Sequence, residues 1–125
     1  MKIKFVDNYW TLEDIIANPK VLFVYPDNDQ KKGISGYSIG RNRKNTLGIP
    51  CQKSENVNKY GFYLDSDFIN NKNKIDEALM KIYIESVNYE QILIPKKIFP
   101  EVGLHVAPKT FAYLTERLKS LAENC

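Results

Sequence analysis

Three polar residues that could hold a ligand follow an apolar stretch near the start of the chain. Residues 21–25 are β-branched, apolar or aromatic and predict a buried strand, and Asp27, Asn28 and Asp29 come just after it. Carboxylate and amide groups at the carboxyl end of a strand can hold a ribose or a base edge, or position a water molecule. Asp and Asn also cap turns after strands, so a purely structural role remains an open alternative.

A loop with spaced glycines follows these polar residues and suggests a phosphate site. Backbone amides of Gly33, Ser35 and Gly36 could cradle a phosphate, and the guanidinium of Arg41 could bind it through two hydrogen bonds. The glycine spacing matches neither the dinucleotide-binding nor the P-loop motif, so a surface turn is an equally simple interpretation. The neighbouring Arg43 and Lys44 are more typical of a solvated basic loop.

The residues that could act in catalysis are Asp27 and His105. His105 is the only histidine of the chain and falls in a predicted loop at residues 96–106, where it could serve as a general acid or base. Cys51 could be a nucleophile, but no partner is suggested by spacing, which favours a buried thiol. Two cysteines and one histidine far apart do not predict a zinc site, and we expect no metal and no cofactor.

Composition indicates a single folded domain. The chain has 125 residues, of which 43% are hydrophobic and 26% are charged. A net charge of +3 is too small to indicate nucleic-acid binding, and two cysteines do not make a disulfide framework. The polar start of the chain and the lack of an apolar run near 18 residues predict neither a signal peptide nor a membrane span, so we expect a cytoplasmic protein.

The pattern of apolar residues predicts which elements position these side chains. In order, the predicted elements are a strand at 2–6, a helix capped by Thr11 and ended by Asn18-Pro19, the strand at 21–25, a short helix at 36–42, strands at 47–50 and 60–64, a helix at 71–87, a strand at 91–95 and a helix from 107 onwards. This alternation predicts one three-layer α/β domain with a mixed, mostly parallel sheet flanked by helices.

From residue 10 to residue 118 the chain resembles a family of small, mostly uncharacterised phage and bacterial proteins. That family carries a Gly-Asp-Asn motif, a Gly-Gly-Gln-Ala motif and a Gly-Ile-Pro-Thr-Lys motif, and its last helix begins with Ala-Pro. The matching residues are Thr11, Glu13, Ala17, Asn18, Pro19, Asp27, Asn28, Gly33, Gly36, Arg41, Asn45, Gly48, Ile49, Pro50, Asp65, Pro95, Ala107, Pro108 and Thr110.

The chain also departs from that family at several positions. Pro26 replaces the Gly of the first motif, Ser35 and Tyr37 replace Gly and Gln of the second, and Cys51 replaces Thr of the third. The loop at residues 96–106 lacks the family's Gly-Thr-Gly segment and keeps a single glycine. Since glycine lets a backbone approach a phosphate closely, these departures bear on how this chain would hold a ligand.

The element order of the family is in turn similar to that of macro domains, which bind ADP-ribose and related nucleotides. The resemblance implies a macro-domain-like, Rossmann-related fold and a small protein that binds a nucleotide or ADP-ribose-type ligand. It further implies a viral or mobile-element origin and an action on nucleotide signalling in a host cytoplasm. Two alternatives stay open: a hydrolase of ADP-ribose derivatives on the same site, and a protein-interaction module whose ligand site has decayed.

Overall fold

Four strands form one sheet in the computed structural model, which describes residues 2–54, 61–98 and 105–124. The strands are β1 (Ile3–Val6), β2 (Val21–Asn28), β3 (Thr46–Gln52) and β4 (Gln91–Pro95). They lie in the order β1-β4-β2-β3, and all three neighbouring pairs are parallel. The predicted α/β class is therefore confirmed, and in the described part of the chain the sheet is parallel rather than mixed.

In the described ranges, the helices that accompany the sheet are α1 (Leu12–Ala17), α2 (Phe68–Glu85) and α3 (Pro108–Asn124). Short 3₁₀ segments span Gly36–Gly40, Asp65–Asp67 and Ser86–Asn88. Helices α2 and α3 cover one face of the sheet, while α1 and the segment Gly36–Gly40 cover the other, as a three-layer arrangement requires. No helix in the described ranges is long and apolar enough to cross a membrane.

Helix α1 begins where its sequence predicts. The Thr11 hydroxyl accepts a hydrogen bond from the Asp14 backbone N–H at 3.1 Å, and the Asp14 carboxylate accepts one from the Thr11 N–H at 2.9 Å. This reciprocal capping box satisfies two backbone donors at the start of the helix. The helix ends at Asn18, whose side chain donates to the carbonyl oxygen of Asp14 at 2.8 Å.

Strand β2 continues three residues beyond its predicted end at residue 25. Pro26 pairs with Ile49 of β3 inside the strand, although proline has no N–H to donate. The N–H groups of a strand point alternately to either side, and that of Phe23 points to the β3 side, where it donates to the Asn45 carbonyl. An N–H at residue 26 would point to the β4 side, where the pairing stops at Phe23, so proline forfeits no sheet hydrogen bond.

The prediction of a strand at residues 60–64 is wrong for residues 61–64, which are the part of it that the structure describes. Phe62 makes only an isolated antiparallel bridge with Gln52. The next residue, Tyr63, is fully buried in the core under α2 and α3, and a 3₁₀ turn begins at Asp65. The aromatic residues thus serve core packing at the start of α2 rather than a further strand.

The other predicted boundaries shift by a few residues. Helix α2 starts at Phe68, three residues before its predicted start, and continues beyond Glu85 into the 3₁₀ turn. The short helix predicted at 36–42 is the 3₁₀ segment Gly36–Gly40. Of the predicted loop at 96–106, residues 99–104 lie outside the described ranges, and so do Tyr60 and Cys125.

Candidate functional site

A cleft of about 290 Å³ lies between α2 and the carboxyl ends of β2 and β3. This is the edge at which open parallel sheets bind their ligands, because the strands deliver their terminal side chains and loops there. The residues that line the cleft are Asp27, Asn28, Asp29, Lys31, Gly48, Pro50, Lys74, Glu77, Ala78 and Lys81. The three polar residues predicted to hold a ligand therefore meet in one cavity.

The Asp27 carboxylate, near the carboxyl end of β2, is bound by an arginine and by a backbone N–H group. One oxygen, Oδ1, lies 2.7 Å from the Arg41 guanidinium and accepts a hydrogen bond from the Asn28 N–H at 2.8 Å. The other oxygen, Oδ2, lies over Gly48, where a Cβ atom would approach it to 2.8 Å. Glycine at position 48 thus leaves the space that this carboxylate fills, beside the cleft.

Arg41 ties the glycine loop to the sheet. Its Nε donates to the Gly33 carbonyl at 2.7 Å and its Nη2 to the Lys32 carbonyl at 3.0 Å, in addition to the ion pair with Asp27. Its guanidinium also lies 5.2 Å from the centre of the Tyr25 ring. The side chains of both charged partners are 8% exposed, so the predicted phosphate ligand is a buried structural cation in this conformation.

Asn28 closes the turn that follows β2. Its side-chain amide donates to the Lys32 carbonyl at 2.8 Å, and its side-chain oxygen accepts from the Lys32 N–H at 3.3 Å. The turn includes Lys31, whose backbone φ of 55° lies in the left-handed region. Asn28 therefore has the turn-capping role that its residue type allows, while it also lines the cleft.

The glycine loop runs from the edge of the cleft, at Lys31, to the α1 side of the sheet, where Tyr37 packs. Gly33 and Gly36 have φ values of 101° and 58°, which favour glycine. A Cβ atom on Gly36 would approach the Tyr9 ring to 3.0 Å. Gly33, Ser35 and Gly36 do not line the cleft, although Arg41 joins the Gly33 carbonyl to the Asp27 carboxylate.

Asp29 joins the end of β2 to α2. Its Oδ1 accepts a hydrogen bond from the Tyr63 hydroxyl at 2.5 Å, and its Oδ2 lies 2.7 Å from the Lys74 ammonium. The same ammonium lies 5.2 Å from the centre of the Tyr63 ring. Burial, together with the hydrogen bond to Asp29, raises the pKa of Tyr63, so this hydroxyl stays protonated and donates.

The contribution of α2 to the cleft was not recognised in the sequence. Lys74, Glu77, Ala78 and Lys81 follow the spacing i, i+3, i+4 and i+7 and therefore share one flank of the helix. That spacing was readable, but the side of the sheet on which the helix packs was not. With Lys31, the lysines bring three ammonium groups to a cavity that also holds carboxylates.

The candidate catalytic residues do not assemble here. His105 is exposed and does not line the cleft. Cys51 is 1% exposed, and burial strongly raises the pKa of its thiol, which makes it a poor nucleophile. Within the described ranges, no group of three or more His, Cys, Asp or Glu residues could hold a metal ion.

Comparison with known proteins identifies the chain at the level of a family. No curated protein and no solved structure matches it. One family model matches residues 5–117, which include the last two residues of β1, the other three strands, α1, α2 and most of α3. This extent agrees with the expected membership of an uncharacterised family of small proteins. The chain belongs to the family of unknown function DUF7831.

Proposed function

We propose that the protein binds a nucleotide-type ligand in the cleft between α2 and the carboxyl ends of β2 and β3. The observation that carries this proposal is that the Asp27 carboxylate lines the cleft and is already held in one orientation. Arg41 and a backbone N–H hold one of its oxygens, while the other lies over Gly48 at the edge of the cavity. A carboxylate oriented in advance can accept hydrogen bonds from a ribose or a base amine without an ordering cost.

The charges around Asp27 suit a ligand that has both hydrogen-bond donors and an anionic group. Lys31, Lys74 and Lys81 line the same cavity. Lys74 pairs there with Asp29 and Lys81 with Glu77, so a phosphate would compete with these carboxylates for the ammonium groups. A cavity of about 290 Å³ lies just below the range, about 300–1,000 Å³, that small-molecule sites occupy. A mononucleotide is therefore the preferred ligand, and an ADP-ribose would extend beyond the cleft.

The resemblance to macro domains supports the same site by analogy of element order, with polar residues at the end of the second strand. A hydrolase on this site receives less support. Among the described residues that line the cleft there is no histidine, cysteine, serine or threonine, and therefore no recognisable pair of nucleophile and base. Binding without turnover is the simpler function for this arrangement.

The proposal can be tested by measuring thermal stability against AMP, ATP, cyclic nucleotides, NAD and ADP-ribose. A ligand present at a hundred times its dissociation constant stabilises a native protein by roughly 2.7 kcal/mol, which is a measurable shift for a domain of this size. We expect the largest shift from a mononucleotide. Incubation of the stabilising nucleotide with the protein, followed by chromatography, would reveal any turnover.

Lysine variants connect the shift to the cleft. The double variant Lys31→Gln with Lys81→Gln removes two ammonium groups from exposed positions, so it should fold normally and bind at least about tenfold more weakly. Lys119→Gln is the matched control, because that lysine lies on the exposed surface of α3. A panel without any shift, or a shift that the double variant leaves unchanged, would overturn the proposal.

A further inference from the structure

A second cavity, of about 820 Å³, lies at the amino ends of β2 and β3. Its lining includes Lys20 and Leu22 at the start of β2, Lys44 and Thr46 at the start of β3, and Glu85 at the end of α2. The volume lies within the range, about 300–1,000 Å³, that small-molecule sites occupy. Open parallel sheets bind their ligands at the carboxyl ends of the strands, so a cavity at the amino ends is separate from the cleft described above.

Lysine side chains dominate the charge of this cavity. Lys20, Lys44 and Lys81 are exposed and line it, and Glu85 is the one carboxylate among its described lining residues. The Lys81 ammonium lies 3.6 Å from Glu77 on the same helix. In the described ranges, no carboxylate forms an ion pair with Lys20 or Lys44. These two ammonium groups therefore leave positive charge that an anionic ligand can neutralise.

The backbone holds these two lysines on either side of one segment. The Lys20 carbonyl accepts a hydrogen bond from the Glu90 N–H at 2.8 Å, and the Lys44 carbonyl accepts one from the Tyr89 hydroxyl at 3.0 Å. Both lysines are thus fastened to the same two residues after α2. A ligand would have to order only the lysine side chains, and not the loops that carry them, which lowers the entropic cost of binding.

The end of α2 would ordinarily oppose an anion, because the last carbonyl groups of a helix carry partial negative charge. Here Lys2 offsets that charge. Its ammonium lies 2.6 Å from the Ser86 carbonyl oxygen, which also accepts a hydrogen bond from the Tyr89 N–H at 3.2 Å. Because Lys2 is not a lining residue of the cavity, the helix end is compensated without either of the two cavity lysines.

Apolar side chains form the deeper part of the lining. Leu22 is 1% exposed and Tyr89 is 8% exposed, and the half-buried Leu47 also lines the cavity. The lysines are exposed and therefore lie at the rim. An apolar interior with a cationic rim fits a ligand that has an anionic group on an apolar body, whereas an inorganic phosphate would leave the interior in contact with water.

We propose that this cavity binds an organic anion of small-molecule size. The carboxylate, sulfonate or phosphate group of the ligand lies between the ammonium groups of Lys20 and Lys44, and its apolar body lies against Leu22, Leu47 and Tyr89. The proposal does not depend on the nucleotide cleft, because the two sites lie at opposite ends of the strands.

The test is a fluorescence titration with anilinonaphthalene sulfonate, a dye that carries a sulfonate on an apolar aromatic body. The double variant Lys20→Gln with Lys44→Gln should bind the dye about tenfold more weakly than the wild type, because it loses charge-assisted hydrogen bonds. It should fold normally, since both side chains are exposed. The double variant Lys4→Gln with Lys97→Gln is the matched control. It removes two exposed lysines outside the cavity, has the same net charge and should bind the dye as the wild type does.

Phenylnaphthylamine, an uncharged analogue of the dye, separates the contribution of charge from that of apolar contact. It should bind the wild type and the Lys20/Lys44 variant equally, because it has no group for the lysines. Binding of the sulfonate should weaken between about 0.01 M and about 1 M salt, as the Debye length falls from about 30 Å to about 3 Å. Equal affinity of the wild type and the Lys20/Lys44 variant for the sulfonate would overturn the proposal.

Amide chemical shifts locate the bound dye. In a proton–nitrogen correlation spectrum, the dye should shift the amide signals of residues 20, 22, 44–47 and 89, which line the cavity, and should leave those of residues 27–29 in the nucleotide cleft unchanged. Residues 80, 83, 84 and 87 have exposed apolar side chains and are the main alternative contact for a dye. Shifts confined to those four residues would overturn the proposal.

Discussion

The two faces of the sheet are covered by different means. On one face, the long helices α2 and α3 bury an aliphatic core that includes Leu22, Ile49 and Ile92. On the other face, six-residue α1 and a 3₁₀ segment cover a small cluster of buried residues, Trp10, Ile15, Phe23 and Tyr25. In the described part of the chain, nineteen buried residues form the first cluster and four form the second, so burial of apolar side chains stabilises the first layer more.

Side-chain hydrogen bonds to the backbone compensate on the thinner face. Asn45 is the main example, because its amide nitrogen lies within 3.0–3.1 Å of the carbonyl oxygens of Ile15, Asn18 and Val21. The Trp10 indole N–H donates to the Tyr37 carbonyl at 2.9 Å. Such contacts fix geometry but contribute about 1 kcal/mol each, so the thin layer is expected to open locally more readily than the thick one.

The largest effect should come from truncation in the thick layer. Ile92, at the centre of the sheet, is fully buried, and Ile92→Ala should lower the free energy of unfolding by about 3–4 kcal/mol through lost burial and a cavity. Urea denaturation measures this change. Ile16→Ala, at a 54% exposed position of α1, should cost less than about 0.5 kcal/mol. Equal losses of unfolding free energy at the two positions would contradict the conclusion that Ile92 is part of the buried core while Ile16 lies on an exposed helix surface.

The ion pair at the end of β2 should give the next largest effect. Arg41→Met leaves the Asp27 carboxylate buried without its partner and should cost about 3 kcal/mol. Because the loss falls on the thin layer, amide exchange should accelerate most in residues 32–41, as hydrogen-exchange mass spectrometry can show. Arg43→Met, at an exposed neighbouring position, is the control and should leave exchange unchanged. Uniform acceleration across α2 would show that the two layers unfold together.

A smaller effect, dependent on pH, is expected at Asp65, which anchors α3 to the thick layer. Its carboxylate accepts hydrogen bonds from the N–H groups of Lys109 and Thr110, both at 2.9 Å. Although partial burial opposes ionisation, these hydrogen bonds lower the pKa of Asp65. Asp65→Asn keeps one acceptor oxygen but loses the other and the charge, so it should cost about 1 kcal/mol at neutral pH, the net value of one hydrogen bond.

The direction of the pH dependence follows from that lowered pKa. The stabilisation is present above the unfolded-state pKa, near 3.8, and disappears as the pH falls through the lower folded-state value. The difference between the wild type and Asp65→Asn, measured by urea denaturation, should therefore shrink below about pH 4. Asp67→Asn, which removes an exposed 3.6 Å pair with Lys53, should have little effect at any pH.

Local signals in the chain predicted much of the fold. The capping box of α1, the apolar strand at Gln91–Pro95 and the amphipathic pattern of α3 each depend on neighbouring residues, and each agrees with the structure within one or two positions. The continuation of β2 through Pro26 was not predictable in this way. It depends on where β4 stops pairing with β2, which is a relation between distant segments.

The candidate site shows the same division. Asp27, Asn28 and Asp29 were predictable because residues after a buried strand lie at the edge of a sheet, and they line the cleft. The position of Gly33 outside the cleft lining and the pairing of Arg41 with Asp27 were not predictable, because both depend on the path of the loop in three dimensions. The sequence by itself determined the order of strands and helices, apart from the strand wrongly predicted at residues 60–64, and the polar end of β2, since those follow from local periodicity and turn chemistry. Only the tertiary structure decided that the α2 lysines share the cleft, because that depends on how α2 packs against the sheet.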